Sequence, residues 1–419
     1  MKKLILSLIA VGILSSQAFS EQITWDDAVK QALANNPSIQ SAKLRLDNAQ
    51  RSYNIAVGAF FPDISLKGSA GRSGNDTSTS NSFSYGANAS LSLFSGFETY
   101  NNVSQKSADL NAAQADYNRT ISDVSYELAT QYVNLMWAYQ TVTLSKQIQA
   151  RRIQNKEMIN LKYNSGSVDI GSLRRVEADV ETAAFDVRKA QRYVDTASAA
   201  LSRALGRTGG EILEPVEKMD IPDADRSYPK PVFDTLVQKI PEYISAYYGA
   251  QSAGYAYAKA KSAWWPDISA SAGVSRSGRE WAPSDNSWNI GLSISYPIFN
   301  GGQRLQNVNI AANQRDIVEQ TFKDTVNLLK SQAIANFNSL TDAFENLTVR
   351  ELYLEASRQQ AEISQQKYIN GLSSYQDWYS IENDYINSQT SLLDSKRSAI
   401  MARFKWQNFI GNGFDYMHP

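Results

Sequence analysis

The chain has 419 residues, a formal net charge of −1 at pH 7 and no cysteine. This balance of charge gives no reason to expect a nucleic-acid partner, and the lack of cysteine excludes disulfides and thiol chemistry. The only histidine, His418, is the penultimate residue, and the sequence has no metal-ligand cluster, phosphate loop or nucleophile motif. We therefore expect no cofactor, no metal site and no catalytic residues, and the chain is not predicted to be an enzyme.

The first twenty residues have the pattern of a secretory signal peptide. Lys2 and Lys3 precede an apolar run at 4–14, and the small residues Ala18 and Ser20 come directly before Glu21. The apolar run is too short to span a bilayer, so we predict a cleaved signal peptide at 1–20 rather than a membrane anchor. An exported chain without cysteine suits a bacterial envelope.

The first repeat is predicted at 21–206. Two helices separated by a break at Pro37 lead to a β-hairpin at 62–95, where the apolar period changes from 3.6 to 2. A long helix at 97–165 and a return helix at 169–205 follow. The long helix would reach roughly 100 Å at 1.5 Å per residue, far beyond the helices of ordinary compact domains.

The long helix carries a mainly apolar series of positions at alternating steps of four and three, the spacing of a coiled-coil seam. The seam consists of Tyr117, Ile121, Val124, Leu128, Gln131, Leu135, Ala138 and Val142. It returns 205 positions later as Phe322, Val326, Leu329, Ala333, Asn336, Leu340, Ala343 and Leu347. The chain is therefore predicted to be one structural unit built twice.

The second repeat is predicted at 232–411, after a proline-rich linker or equatorial segment at 207–231 and before a tail at 412–419. It contains a hairpin at 266–299, a long helix at 301–369 and a return helix at 375–410. The WWPDIS motif at 264–269 matches FFPDIS at 60–65.

The hairpins have the pattern of membrane strands. One face of each strand is apolar and the other carries Ser, Gly and Asn, as expected for a wall between lipid and a wet lumen. The strands are about 9–11 residues long, the span of a tilted membrane strand, and aromatic rings lie near their ends. Four strands cannot close a barrel, and lipid does not tolerate open sheet edges, so the pattern predicts an oligomer without giving its number.

These motifs together resemble the TolC family of outer-membrane channel proteins. The matching features are the NP break, the FPDIS and WPDIS steps, the FSG and FNGG steps, and the KY-x-x-G turns. The resemblance implies a mainly α fold with a membrane β-barrel. In it, a homotrimer would combine four strands per chain into a 12-stranded barrel in outer-membrane lipid, continued by an α-helical tunnel in the periplasm.

The resemblance also implies a pore gate at the tips of the long helices. Family members place an aspartate six residues beyond the tip glycine and some add another three residues later. Asp377 matches the first of these, whereas Ser380 occupies the second and Ser172 is the first-repeat counterpart of Asp377. Tyr368 matches a tyrosine that helps to latch the closed helices, but Ser172 is too short to replace the latch's carboxylate, so the closed state is expected to be held differently or weakly.

By the same resemblance, the chain is expected to be the exit duct of a tripartite efflux pump, docked on a periplasmic adaptor protein and an inner-membrane transporter. The residues expected to dock are Ser165, Gly166, Ser167 and Val168 at the first tip and Asn370, Gly371, Leu372 and Ser373 at the second. Two alternatives remain open from the sequence. One is the outer-membrane component of a type I secretion system, and the other is an exported coiled-coil scaffold that conducts nothing.

Overall fold

The computed structural model describes residues 21–208, 211–217, 219, 221, 226 and 228–416. The predicted signal peptide at 1–20 and part of the predicted linker and tail lie outside these residues. The helices are α1 Trp25–Asn35, α2 Pro37–Gly58, α3 Glu98–Asn164, α4 Ile170–Ala204, α5 Phe233–Val237, α6 Pro241–Lys261, α7 Gln303–Ile369 and α8 Tyr375–Phe409. The strands are β1 Glu21–Ile23, β2 Asp63–Asn75, β3 Ser78–Ser95, β4 Leu213–Pro215, β5 Asp267–Gly278 and β6 Asp285–Ser295.

The chain divides into two compact units that do not follow the two sequence repeats. Among the described residues, unit 1 contains those within 21–37, 122–230 and 336–416, and unit 2 contains those within 38–121 and 231–335. Each unit therefore takes part of both repeats, because α3 and α7 are each 67 residues long and contribute to both units.

Unit 2 contains a four-stranded antiparallel sheet in the order β2-β3-β5-β6. Apolar side chains alternate along its strands and are largely exposed, as for Leu292, which is 64% exposed, and its neighbours Ile290 and Ile294. Within this sheet, β2 pairs only with β3, and β6 pairs only with β5. The sheet thus has two unpaired edges and one exposed apolar face.

The first hairpin is longer than its sequence pattern indicates. The polar stretch at 72–82 has the composition expected of a loop, but β2 and β3 pair without interruption to Asn75 and Ser78. The side-chain oxygen of Asn75 accepts hydrogen bonds from the backbone N–H groups of Thr77 and Ser78 at 3.2 and 2.9 Å. An asparagine that bonds its own turn in this way stabilises a tight connection, so the polar residues on both sides stay in the strands.

Helices of unit 2 are joined in the order α3–α6–α7. Ser252 of α6 donates a hydrogen bond to Asp109 of α3 at 2.5 Å, and Lys259 of α6 donates to Asn102 of α3 at 3.0 Å. On the other side of α6, the Tyr243 ring meets Phe322 of α7 edge to face, with centroids 5.3 Å apart. No helix in the described residues is long and apolar enough to cross a membrane.

Unit 1 contains much of the predicted coiled-coil seam. Leu128 and Leu135 of α3 and Leu340 and Leu347 of α7 are completely buried. The short strands β1 and β4 pair in parallel beside α3, where the Tyr132 hydroxyl donates to the Ile23 carbonyl at 2.9 Å and also contacts Glu217. The mainly helical fold with two β-hairpins that the sequence predicted is confirmed.

Candidate pore gate at the helix tips

Two short turns of matching geometry join the long helices to the return helices. In the first, Gly166 has a φ of +74° and Ser167 donates its backbone N–H to the Lys162 carbonyl at 2.8 Å. In the second, Gly371 has a φ of +76° and Leu372 donates to the Lys367 carbonyl at 2.8 Å. These are Schellman caps, which require a residue in the left-handed region and therefore favour glycine.

The residues expected to dock a partner lie in these turns. A side chain placed on either tip glycine would meet nothing within 4 Å. Ser165, Ser167, Asn370 and Leu372 are exposed, Ser373 is half-buried, and Val168 packs against the cluster described below. The structure therefore presents both turns as open surfaces.

Each return helix begins with a capping pair of one aspartate and one serine. The aspartate comes first in the first repeat, and the serine comes first in the second. Asp169 caps α4, accepting the backbone N–H of Ser172 at 3.0 Å and its hydroxyl at 2.9 Å. Ser374 caps α8, accepting the backbone N–H of Asp377 at 3.1 Å and donating its hydroxyl to the Asp377 carboxylate at 2.7 Å. The hydrogen bond from the Ser172 backbone N–H holds the pKa of Asp169 below its usual range.

The capping pairs change how the predicted gate residues are interpreted. Asp377 is exposed at the start of α8, and Ser380 is also exposed one turn later. Ser172 is buried and engaged by Asp169. The first repeat therefore does carry a carboxylate at its tip, that of Asp169, three residues before the position that the repeat alignment indicates. The Asp-x-x-Ser spacing, which is typical of a helix cap, could have revealed it from the sequence.

A cluster of buried side chains joins all four helices at the tips. It is formed by Ile159, Leu173, Val176, Tyr368, Trp378 and Tyr379. Tyr368 is 4% exposed and stacks on Trp378, with ring centroids 5.0 Å apart and an interplanar angle of 12°. The Lys162 ammonium lies 4.7 Å from the centre of the Tyr368 ring, a distance at which a cation is attracted to the ring face.

Tyr368 makes no latch bond through its hydroxyl in this structure. Its hydroxyl and the Trp378 indole N–H are both buried without a hydrogen-bond partner among the described residues, and burial raises the pKa of Tyr368. The structure does not bring the Tyr368 hydroxyl to Ser172, the position at which the family pattern would have the latch carboxylate. Tyr368 contributes to the tip through its ring.

Two other tyrosines join α8 to α4, and the sequence did not single them out. The Tyr375 hydroxyl donates to the Ser172 carbonyl at 3.4 Å, and the Tyr379 hydroxyl donates to the Asp179 carboxylate at 2.8 Å. The Arg175 guanidinium covers the Tyr379 ring at 4.7 Å. Burial is the main cause that raises the pKa of Tyr375 to about 12, so its hydroxyl stays protonated and able to donate at physiological pH.

A buried ion pair further along the helices joins α3 to α8. Arg151 donates two hydrogen bonds to Glu382, at 2.5 and 2.8 Å, and Asn155 donates a third at 2.8 Å. The Glu382 side chain is 1% exposed and that of Arg151 is 28% exposed. The bond to Glu382 raises the pKa of Arg151, and a bidentate pair of this kind fixes both side chains in one geometry.

Known proteins resemble this chain over nearly its whole length. A family model described as "Outer membrane efflux protein" matches residues 28–207 and 244–411. The cation efflux system protein CusC of Escherichia coli is 23% identical over 401 residues, covering 92% of this chain and 86% of that protein. The toluene efflux pump outer membrane protein TtgC of Pseudomonas putida is 22% identical over 419 residues, covering 94% and 84%.

Solved channel structures share the fold. The open state of the Neisseria gonorrhoeae MtrE outer membrane channel superposes with a TM-score of 0.82 at 18% identity, covering 93% of this chain and 89% of that one. The Vibrio cholerae outer membrane protein VceC gives a TM-score of 0.80 at 18% identity, covering 93% and 96%. The resemblance drawn from the sequence motifs is confirmed: the chain is a member of the outer membrane efflux protein family and belongs to the outer membrane.

Proposed function

We propose that three copies of this chain form the exit duct of a tripartite efflux pump. The observation that carries the proposal is the sheet of unit 2, whose strands β2 and β6 each leave one edge unpaired. Lipid does not tolerate such edges. If β6 of one copy pairs with β2 of the next, three copies close a barrel of twelve strands, an even number in the usual range for outer-membrane barrels.

In this assembly the duct conducts passively. The periplasmic adaptor docks on the two open tip turns, and the inner-membrane transporter supplies the energy and selects the substrate. The proposal favours efflux over protein secretion, since the relatives CusC and TtgC are named as components of a cation efflux system and a toluene efflux pump.

The gate in this proposal consists of the tip residues of three chains. Three exposed Asp377 carboxylates face the constriction and attract cations, as rings of acidic side chains do in cation channels. The aromatic cluster around Tyr368 and Trp378, the bonds made by Tyr375 and Tyr379, and the Arg151–Glu382 pair hold the four helices of each chain together in the closed state.

The oligomeric state tests the assembly directly. Native mass spectrometry of the protein extracted from outer membranes in mild detergent is expected to give three copies per particle. A particle of one copy, with its sheet edges unpaired, would overturn the proposal. As a control for extraction, circular dichroism of the same sample should show that the protein is folded. The spectrum should have the strong helical signal expected from two 67-residue helices.

A further inference from the structure

We propose that the junction of strands and helices in unit 2 binds the headgroup of a zwitterionic phospholipid. The phosphate lies between Arg304 and Lys259, and the ammonium lies beside Glu98 and Asp267. The site depends on the proposed function only for the placement of the sheet in lipid. It needs neither the trimer nor a conducting duct.

A cavity of about 520 Å³ lies where the sheet meets the helices. Its wall includes Ser95 at the end of β3, Glu98 at the start of α3, Lys259 near the end of α6, Asp267 at the start of β5 and Arg304 at the start of α7. Its volume is in the range of ligand pockets, roughly 300–1,000 Å³. With the strands in lipid, this junction lies between the hydrocarbon core and water, at the depth of phospholipid headgroups.

Arg304 carries a buried charge that no acidic residue neutralises. The residue is only 6% exposed, and its guanidinium donates a hydrogen bond to the Pro297 carbonyl. The same group lies 4.9 Å from the centre of the Trp264 ring and 5.7 Å from that of Tyr296. Among the described residues it forms no ion pair. Since buried charges are normally paired and a guanidinium matches the geometry of phosphate, the missing partner of Arg304 is an anion of this kind.

Lys259 supplies a second cation to the same cavity. Its ammonium donates to Asn102 of α3 at 3.0 Å and forms no ion pair within the described part of the chain. Glu98 and Asp267 are exposed, and neither forms an ion pair with a cation of the cavity wall. Two cations and two carboxylates that do not pair with each other complement a ligand that carries both charges. Because the four charges sum to zero, the site favours a zwitterionic headgroup over one with a net negative charge.

Aromatic side chains around the cavity favour a lipid over a free phosphate ion. Trp264 and Tyr296, whose rings contact the Arg304 guanidinium, are 46% and 51% exposed. Trp265 of the cavity wall is 55% exposed. Trp and Tyr rings concentrate at membrane–water interfaces, where one part of the ring contacts lipid and the other contacts water. The glycerol and first acyl carbons of a phospholipid would cover these rings, whereas a free phosphate ion would leave them exposed.

The equivalent positions of the first repeat lack both cations. Arg304 corresponds to Thr99, whose hydroxyl shares a hydrogen bond with that of Ser95 at 3.3 Å. Lys259 corresponds to Ile55, which is 76% exposed. The two cations are therefore particular to the second repeat, and we expect one tightly bound phospholipid per chain rather than two.

Native mass spectrometry with defined lipids tests the site. The protein is purified from outer membranes, freed of lipid by detergent exchange and given phosphatidylethanolamine at a fixed molar ratio. We expect one lipid per chain to remain bound at collision energies that remove all others. Arg304→Gln and Lys259→Gln should each lower the affinity for that lipid at least tenfold, because each removes one partner of the phosphate.

Lys261→Gln is the matched control. Lys261 lies on the same helix as Lys259, but its ammonium covers the Tyr257 ring at 4.7 Å, and it is not among the residues that line the cavity. Its substitution should therefore leave lipid retention unchanged. If the buried Arg304 proves necessary for folding, Lys259→Gln and Lys261→Gln decide the question between them. Equal retention by these two variants would overturn the site.

Glu98→Gln tests the ammonium half of the headgroup. Glu98 is exposed, so the fold should not change. The variant should bind phosphatidylethanolamine several-fold more weakly than the unaltered protein does. It should bind phosphatidylglycerol, which has no ammonium, equally well. An equal loss for both lipids, or no loss for either, would contradict a zwitterionic headgroup.

Inorganic phosphate distinguishes a lipid site from a site for a free anion. Millimolar phosphate should leave phosphatidylethanolamine bound, and full displacement would overturn the assignment to a lipid. The masses also separate this site from the proposed function. Single chains that each retain one lipid would overturn the trimer and support the site, whereas a trimer whose variants all retain lipid equally would overturn the site alone.

Discussion

The Tyr368 ring stacks on the Trp378 indole with centroids 5.0 Å apart, yet the Tyr368 hydroxyl has no hydrogen-bond partner among the described residues. A buried polar group without a partner destabilises the state that buries it, by about 1–3 kcal/mol. The ring therefore stabilises the packed tip, and the unpaired hydroxyl destabilises it.

Replacing Tyr368 by phenylalanine should stabilise the closed tip. Tyr368→Phe keeps the stack and removes the unpaired hydroxyl, so the free energy of unfolding should rise by about 1 kcal/mol and the conductance should not increase. Chemical denaturation and bilayer recording measure the two effects. Tyr163→Phe, at the same position of the first repeat and exposed, is the matched control and should change neither. A Tyr368→Phe channel that opens would instead show a latch made by the hydroxyl.

Glu382 and Glu177 occupy equivalent positions of the two repeats, but their surroundings differ. Removing Glu382 leaves Arg151 partly buried and unpaired, which costs roughly 3 kcal/mol. Glu177 pairs with Arg174, whose side chain is 72% exposed, and exposed pairs contribute about 0–1 kcal/mol. In chemical denaturation, Glu382→Ala should therefore be much less stable than Glu177→Ala. Equal stabilities would mean that the buried pair does not hold α3 and α8 together.

Asp377 has two roles that different substitutions can separate. Asp377→Asn removes the charge but keeps an oxygen that can accept the Ser374 hydroxyl, so cation selectivity should fall with little loss of stability. Ser374→Ala removes the helix cap and keeps the charge, so it should cost about 0.5–2 kcal/mol with selectivity preserved. Reversal potentials in asymmetric salt measure the selectivity. An unchanged reversal potential for Asp377→Asn would remove this carboxylate from the constriction.

The exposed apolar face of the sheet should not accept a charge. Leu292→Lys places an ammonium on the face expected to contact lipid, at a cost of about 2–4 kcal/mol near the bilayer midplane, and should prevent membrane insertion. The adjacent Ser293→Lys points to the opposite face of the strand and should insert. The amount of folded protein in outer-membrane fractions measures both. Normal insertion of Leu292→Lys would contradict the assignment of this face to lipid.

The sequence predicted best those features that depend on periodicity. The three–four spacing marked the helices and the buried seam through Leu128 and Leu340, and strict alternation marked the strands. Strand ends were predicted less well, because Ser, Thr and Asn favour loops as isolated residues but pair equally well across a hairpin, as Ser69 and Ser84 do at 2.9 Å.

The contacts of the candidate gate join residues that are far apart in the sequence, so the sequence pattern alone could not predict which side chains meet. Arg151 and Glu382 are 231 positions apart, and their pairing depends on how two helices are aligned. The alignment of repeats placed Ser172 opposite Asp377, but the tip carboxylate of the first repeat is Asp169, because either order of acid and hydroxyl can cap a helix. Nor does periodicity distinguish a tyrosine that bonds through its hydroxyl from one that packs through its ring.

Planar-bilayer recording of the protein purified from outer membranes tests the central claim most directly. A closed duct lined at its tip by three Asp377 carboxylates should insert and give small, cation-selective currents. A protein that remains trimeric and folded in detergent but never conducts, even with Asp377 and the Arg151–Glu382 pair substituted, would contradict the assignment of this chain as an exit duct.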